Sequence, residues 1–311
     1  MKEIYPNFLK VNLLNRYSVK QEILILNQSV KKLYNKRKIL KNTGSNIFSL
    51  ENKVAIVTGA LGLLGRNHCE ALIEFGATVA AIDLDGDLST EFARSFNGNC
   101  IGFGADITRT SDLENVKSEI LSRFGKIDIL VNNAAINDKF ENPLNSAELS
   151  KFENYPLSSW QKSIEVNLTG TFLCCQVFGT EMAKQQFGSI INISSTYGTV
   201  APDQSLYKDR QGNQKFYKTV SYPVTKSALI SLTKFLAAYW GDKNVRVNAL
   251  SPGGVENNQD PYFVENYSKR TPLKRMARAF DYKGALVFLA SNASDYMTGA
   301  NLIVDGGWTI W

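Results

Sequence analysis

The sequence predicts an α/β fold: a doubly wound parallel sheet of seven strands with helices on both faces, preceded by a helical N-terminal extension. Three observations predict it. Val54-Ala55-Ile56-Val57-Thr58 runs apolar or β-branched without a break, as a strand buried on both faces does. Glycines at 59, 62 and 65 follow, and a helical pattern then runs to Phe75 and stops at Gly76. From there strand and helix patterns alternate to the C-terminus, which is how parallel sheets are built.

In chain order, residues 1–50 come first and stand apart. They hold ten Lys and Arg against Glu3 and Glu22, a net +8, which leaves −2 for the other 261 residues of a chain at +6. The basic character belongs to this extension, and the nearly neutral body argues against nucleic-acid binding. Val19, Ile23, Leu26, Val30, Leu33, Arg37 and Leu40 recur at spacings of four and three, an amphipathic helix with a short heptad-like seam. Three readings stay open for it. The helix lies on the body or a neighbouring subunit, or is poorly ordered; it touches an anionic membrane surface, the less favoured reading; or the natural start lies near residue 48. No apolar run reaches the 18 residues of a membrane span and the first thirty residues lack a signal-peptide core, so a cytoplasmic protein is expected.

The body, 51–311, reads as one domain. Strands are expected at 54–58, 78–83, 100–104, 127–132, 188–194, 245–250 and 301–304, with helices at 63–75, 87–96, 110–124, 158–185, 223–240 and 281–291. Ligands of such sheets bind beyond the carboxyl ends of the strands, and the motifs collect there.

A strand, a glycine-rich turn and a helix bring a helix N-terminus to a phosphate. Glycine lets the backbone turn tightly and approach the ligand, while free N–H groups and the helix dipole stabilise the charge. Asp83 ends the second strand about 20 residues later, as the dinucleotide fingerprint requires. Its carboxylate can accept from ribose hydroxyls and repels a 2′-phosphate, and Leu84 follows where an arginine would welcome one. The cofactor expected is therefore NAD rather than NADP. Asp106 follows the third strand, beside Ile107; it can accept from an adenine amino group or serve the start of the next helix. Asn132-Asn133-Ala134-Ala135 closes the fourth strand with small residues that let a flat cofactor approach. Asn167 lies inside a long helical pattern, where asparagine is unfavourable unless exposed or given a task.

The fifth strand ends in Ser194 and Ser195, followed by Tyr197 and Gly198. Tyr222 and Lys226, four apart, share one face of the next helix. A tyrosine titrates near pH 10 in water, and an ammonium beside it favours the phenolate, a usable proton acceptor. His68 is the only histidine, which excludes a multi-histidine metal site and a Ser-His-Asp triad; no metal is expected. Cys69, Cys100, Cys174 and Cys175 show no C-x-x-C spacing and read as reduced thiols.

Over roughly residues 51–311 these motifs together resemble the short-chain dehydrogenase/reductase family. The likeness is carried by Thr58-Gly59-Ala60 and the glycines after it, Asn132-Asn133-Ala134, Asn167, Ser195, Tyr222-x-x-x-Lys226, Ser251-Pro252-Gly253-Gly254 and Val304-Asp305-Gly306-Gly307. It implies a Rossmann sheet, hydride transfer with NAD, a small-molecule substrate, and a homodimer or homotetramer. Carried over by position, Tyr222 is the acid/base and Ser195 hydrogen-bonds the substrate oxygen; Ser-x-x-Gly selects Ser195 over Ser194. Lys226 lowers the tyrosine pKa and holds the nicotinamide ribose, and Asn167 supports a water that relays protons to Lys226. The implied cofactor contacts are Gly59, Gly62, Leu63, Leu64, Gly65, Asp83, Asp106, Ile107, Asn133, Ala134, Ala135, Tyr222, Lys226, Pro252, Gly253 and Val255.

Four departures qualify the likeness. Leu63 stands where the family's middle glycine usually is, which puts the pyrophosphate contact in question, and Ala135 replaces another glycine. Inserts near 137–157 and 201–219 belong over the active site, where loops carry specificity. The threonine that often follows Pro252-Gly253-Gly254 is missing.

A looser likeness, in Ala201–Tyr207, Ser251–Asn258 and Val304–Trp308, is to bacterial oxidoreductases of surface-polysaccharide and flagellin glycosylation. It implies a sugar phosphate or nucleotide sugar as substrate. The alternatives are a 3-oxoacyl carrier-protein reductase and a non-catalytic dinucleotide-binding regulator. For the sugar speaks the strongly hydrophilic insertion from Asp203 to Lys218, a poor wall for an acyl chain. Asn257, Asn258, Gln259, Lys269, Arg270, Lys274, Arg275 and Arg278 would then hold hydroxyls or a phosphate, or are solvated loop charges.

Overall fold

The structure is a computed structural model, and it describes residues 47–137 and 146–311. The expected helix at 19–40 and the first part of the insert near 137–157 lie outside the described residues. Phe48–Trp311 forms one compact unit.

Seven parallel strands make its sheet: β1 Val54–Thr58, β2 Thr78–Asp83, β3 Cys100–Gly104, β4 Ile129–Asn132, β5 Gly188–Ile193, β6 Val245–Pro252 and β7 Asn301–Val304. Their order is β3-β2-β1-β4-β5-β6-β7, so the winding reverses between β1 and β4. The helices are α1 Leu63–Glu74, α2 Gly86–Arg94, α3 Thr110–Phe124, α4 over 157–184, α5 Ser221–Trp240, α6 Pro261–Arg270 and α7 Lys283–Ala290. The period of two along each buried strand sends alternate residues into two cores. Val54 and Ile56 join Ala80, Ile82, Leu113, Ile120, Phe178 and Trp240 on one face. Ala55 and Val57 join Val79, Ala81, Leu72, Leu286 and Leu289 on the other. Helices therefore cover both faces.

Three local outcomes differ from the sequence expectations. β6 continues to Pro252, whose register partner is Val304, so the proline sits in the sheet at the lip of the site. The long α4 carries π turns at Glu165–Gly170 and Cys175–Gly179, and the first of them holds Asn167. Helix α6 had no counterpart in the sequence reading. Its polar composition hid the period, although Asp260 caps Tyr262 N–H at 2.8 Å and Pro261 opens the first turn.

His68 faces inward from α1 and is fully buried, with neither ring nitrogen hydrogen-bonded within the described structure. Burial pulls its pKa down to about 4, so the folded protein keeps the ring neutral. The unfolded chain takes up this proton near pH 6.5 and the folded one only near 4. Stability is thus unaffected above pH 6.5 and falls as pH drops through that window, by roughly 3 kcal/mol at its foot. Denaturation curves of wild type and His68→Leu across pH 7 to 4 should differ in this slope; parallel curves would show that His68 does not carry it.

Candidate active site

The site lies where β1, β4, β5 and β6 end. Gly59 follows β1 with φ +63°, and a Cβ there would stand 2.7 Å from Ala134 Cα, so only glycine lets the turn touch the end of β4. A Cβ on Gly65 would fall 2.0 Å from Gly59 O. Gly62, by contrast, has φ −69° and caps α1 in an extended conformation. The turn is laced to β4 through Thr58, whose hydroxyl accepts from the N–H groups of Asn133 and Ala134, each at 3.1 Å. Asn133 Nδ2 donates to Thr58 O at 3.0 Å and Gly59 O at 2.9 Å, so its side chain supports the turn.

The first-turn amides of Leu63 and Leu64 have no acceptor within α1, as at any helix start, and Leu64 lines the cleft. Leu63 in place of a glycine leaves this N-terminus open. At the end of β2 the Asp83 carboxylate accepts from Leu61 N–H at 2.9 Å and Leu84 N–H at 2.8 Å. The glycine turn itself thus fixes the acid. Close-packed glycines, a helix N-terminus and an anchored carboxylate fit an adenine dinucleotide at the winding reversal.

Asp106 satisfies the local alternative: Oδ1 accepts from Thr108 N at 2.9 Å and Thr108 Oγ1 at 2.7 Å, bonds that hold its carboxyl below the usual range. Ile107 is buried, and Gly170 of α4 lies so close that a Cβ there would meet Ile107 Cδ1 at 2.6 Å.

The two serines ending β5 have separate partners. Ser194 Oγ donates to Lys226 O at 2.7 Å and ties the strand to α5. Ser195 accepts from Tyr197 N–H at 3.2 Å and lines the cleft beside Tyr222. Lys226 is buried, donates to Ile193 O at 2.7 Å, and lies 5.8 Å from the Tyr222 ring centroid. Burial brings its pKa down to about 8. The expected lowering of the Tyr222 pKa by Lys226 is not what this arrangement produces. Burial raises it, and the neighbouring Ser195 hydroxyl offsets part of the rise, while the ammonium donates to Ile193 O.

Asn167 does have a task. Its Oδ1 accepts from Ile136 N–H at 2.8 Å, and its Nδ2 donates to Ile136 O at 2.9 Å and Thr225 Oγ1 at 3.3 Å. The amide clamps the segment after Ala135 and reaches the residue before Lys226. On the far wall, Thr196 Oγ1 donates to Pro252 O at 2.8 Å. Gly253 passes so close to Asp305 that a Cβ would meet its Cα at 2.8 Å. Val255 bridges to Ala277. Ala135, Pro252, Gly253 and Val255 line, with Ser195, Tyr222 and Lys226, a cleft of about 630 Å³.

The insert 201–219 covers this cleft together with α6. Arg270 pairs with Asp203 at 2.9 Å, Lys215 with Asp260 at 3.0 Å and Arg210 with Glu265 at 3.7 Å. Tyr207 stacks on Phe263, ring centroids 5.5 Å apart, and its hydroxyl lies 3.2 Å from that of Tyr197. The hydrophilic wall expected of the insert is found only in part: Leu206, Tyr207 and Phe216 turn inward beside Lys208, Lys215 and Lys218, while Asp203, Asp209 and Arg210 stay outside the lining. The donors expected from the later loop are corrected too. Lys269 pairs with Glu265, Lys274 donates to Lys269 O, Arg275 pairs with Asp281 and Arg278 lies over Phe280. None of them lines the cleft; Asn258 and Gln259 do, with Lys208, Lys215 and Lys218. Tyr197, Tyr207 and Lys218 are thus site residues that sequence reasoning missed. An i, i+4 pair of aromatics at Phe263 and Tyr267 was the one local signal for this lid.

A family model described as enoyl-(acyl carrier protein) reductase matches residues 59–309. The chain is a short-chain dehydrogenase/reductase. It is 34% identical over 271 residues to D-threitol dehydrogenase of Mycolicibacterium smegmatis, covering 85% of this chain and 95% of that one. It is 33% identical to the NAD-dependent glycerol dehydrogenase of Listeria innocua, with 85% and 96% covered. To the post-translational flagellin modification protein A of Campylobacter coli it is 32% identical, with 83% and 99% covered. Among solved structures, a gluconate 5-dehydrogenase from Burkholderia cenocepacia in complex with NADP and tartrate matches with a TM-score of 0.74 and 29% identity, over 86% of this chain and 98% of that one. This short-chain dehydrogenase is an NAD(P)-dependent oxidoreductase. None of its described helices is long and apolar enough to cross a membrane.

Proposed function

We propose that this dehydrogenase uses NAD in preference to NADP and acts on a carbinol or carbonyl carbon of a polyol or sugar derivative, a sugar phosphate or nucleotide sugar of surface-glycan biosynthesis. The observation that carries the reading is Tyr222, with Ser195 and Lys226, at the floor of a cleft walled by aromatic faces, amides and ammonium groups. Polyhydroxylated substrates need this mixture, apolar area with a few placed polar groups. Polyol dehydrogenases and a flagellin modification protein among the relatives support the same class.

The bound nicotinamide cofactor would supply the hydride acceptor or donor. In reduction Tyr222, held protonated by burial, gives its proton to the substrate oxygen, and in oxidation it takes one back. Ser195, whose oxygen already accepts from Tyr197 N–H, donates to the same substrate oxygen and positions it. Lys226, near pH 8 in its titration, replenishes the tyrosine proton, with Asn167 holding the wall beside it. Its ammonium and the first-turn amides of α1 would also hold the cofactor.

NAD preference rests on Asp83. Its charge is fixed at the end of β2 by two backbone amides, where a 2′-phosphate would meet it. Arg66, on the same turn, is committed to Leu61 O and the face of Phe92. The Listeria relative is NAD-dependent by name, while the solved Burkholderia structure holds NADP, so the relatives divide and the reading rests on the acid. The exposed aromatic face of α4 and α5, Phe172, Phe235 and Tyr239, supports assembly as a homodimer or homotetramer, and the reading places the enzyme in the cytoplasm.

Initial rates on polyols, sugar phosphates and nucleotide sugars, each with NAD and NADP, test the reading. At least one member should be turned over, faster at equal concentration with NAD, and Asp83→Ser should narrow the gap by about tenfold. Turnover of acyl thioesters alone, or an NADP preference in the wild type, would overturn it.

A further inference from the structure

Lys218 ends the insert and lines the cleft directly above the reacting tyrosine. Its ammonium is 4.2 Å from the ring centroid of Tyr222 and donates to Asn137 Oδ1 at 2.8 Å. The backbone that carries it is fixed on both sides by one side chain. Lys218 N–H donates to Gln204 Oε1 at 2.8 Å, and Gln204 Nε2 donates to Lys218 O at 3.0 Å. Gln204 is itself held by the insert, since its carbonyl accepts from Gln214 Nε2 at 2.8 Å. A long, flexible side chain is thereby given a fixed root and a fixed tip, the preorganisation that a binding group needs.

The surrounding charge points the same way. Among the described residues lining the cleft, Lys208, Lys215, Lys218 and Lys226 stand against a single carboxylate, Asp260. Asp260 is engaged by Lys215, and Lys226 donates to Ile193 O below the tyrosine. Ammonium groups that line a cleft attract anions entering it. The later-loop cations, Lys274 and Arg275, are tied to other groups and do not reach it.

We propose that Lys218, braced by Asn137 and Gln204, anchors a carboxylate or phosphate carried by the substrate a short distance from the carbon that reacts beside Tyr222. It is a specificity-determining residue, one that selects acidic polyols and sugar derivatives over neutral ones. The proposal deepens the polyol and sugar reading above and rests on it for the class of substrate. A second cation over the tyrosine could instead act by favouring the phenolate. That role would move the pH dependence of turnover and leave the choice between acid and neutral ligands untouched.

The test is a calorimetric titration of the NADH-saturated enzyme with a matched four-carbon set: erythritol, erythronate and erythritol phosphate. Saturation with NADH keeps the phosphate probe out of the cofactor site, and binding is read without requiring turnover. The wild type should bind at least one of the two acids about tenfold tighter than erythritol, and which one tells carboxylate from phosphate. Lys218→Gln should erase that preference and Lys218→Arg should keep most of it. Acids that bind the wild type no tighter than erythritol would overturn the proposal. So would a preference that survives Lys218→Gln, or an equal weakening of all three ligands, which would mark Lys218 as merely structural. Failure of the enzyme to oxidise or reduce any polyol or sugar derivative would instead strike the functional reading, and the titration stands apart from it.

Discussion

Tyr222→Phe should lower turnover by at least about 100-fold while leaving NADH binding within a few-fold of wild type. Removal of a general acid–base group typically costs 10²–10⁴ in rate. The ring packing survives the change, and only the hydroxyl beside Ser195 is lost. Titration of NADH fluorescence beside initial rates separates the two quantities. Because burial raises the pKa of the phenol and lowers that of Lys226, the wild-type reductive rate should fall first as Lys226 loses its proton near pH 8, before Tyr222 does. A Phe variant that keeps most of its activity would mean that another group moves the proton.

The second large effect is expected at Gly65. A methyl group there would sit 2.0 Å from Gly59 O, a backbone atom that cannot yield without moving the turn. Overpacking of this kind costs about 3 kcal/mol, which for a unit of this size lowers Tm by roughly 6–12 °C. Because the displaced atoms are the mouth of the α1 N-terminus, Gly65→Ala should also weaken NADH binding by about tenfold or more. Gly62→Ala is the control, since its Cβ meets only Gly59 O at 3.3 Å and its φ of −69° suits any residue. Its Tm and NADH affinity should stay near wild type. Equal damage from both variants would show that the turn is held differently.

Much of this molecule was legible in its residues, for identifiable reasons. All seven strands were readable because both faces of the sheet are covered, so each strand is a short apolar run between turn residues. The grouping of Gly59, Asp83, Asn133, Ser195 and Pro252 followed from strand ends alone, since a parallel sheet delivers all its strand ends to one edge. Ser195 could be told from Ser194 by the Ser-x-x-Gly pattern of the family, and the two serines have different hydrogen-bond partners.

What was not legible depends on contacts distant in sequence. The direction of Lys226, toward Ile193 O and not toward the tyrosine, is set by packing between α5 and β5 that no i, i+4 rule contains. The two π turns of α4 change the register of a helix whose sequence pattern reads as continuous. The insert looked like a polar wall because composition counts side chains without saying which way they turn. Leu206, Tyr207 and Phe216 are few, yet they face inward and share the lining with Lys208, Lys215 and Lys218, whereas Arg210 and Asp203 face α6 in ion pairs. Lys274 and Arg275 misled for the same reason, being charges whose partners, Lys269 O and Asp281, lie within the same loop.

The central claim is hydride transfer between NAD and a carbinol carbon beside Tyr222. Its most direct test is label transfer from a substrate deuterated at that carbon, taken from the polyol or sugar derivatives the wild type turns over. Mass spectrometry of the reduced cofactor should find the deuterium on the nicotinamide, with a slower rate than for the unlabelled substrate, and Tyr222→Phe should suppress the labelled product. Reduced cofactor without deuterium, or none at all from any polyol or sugar derivative, would contradict the account.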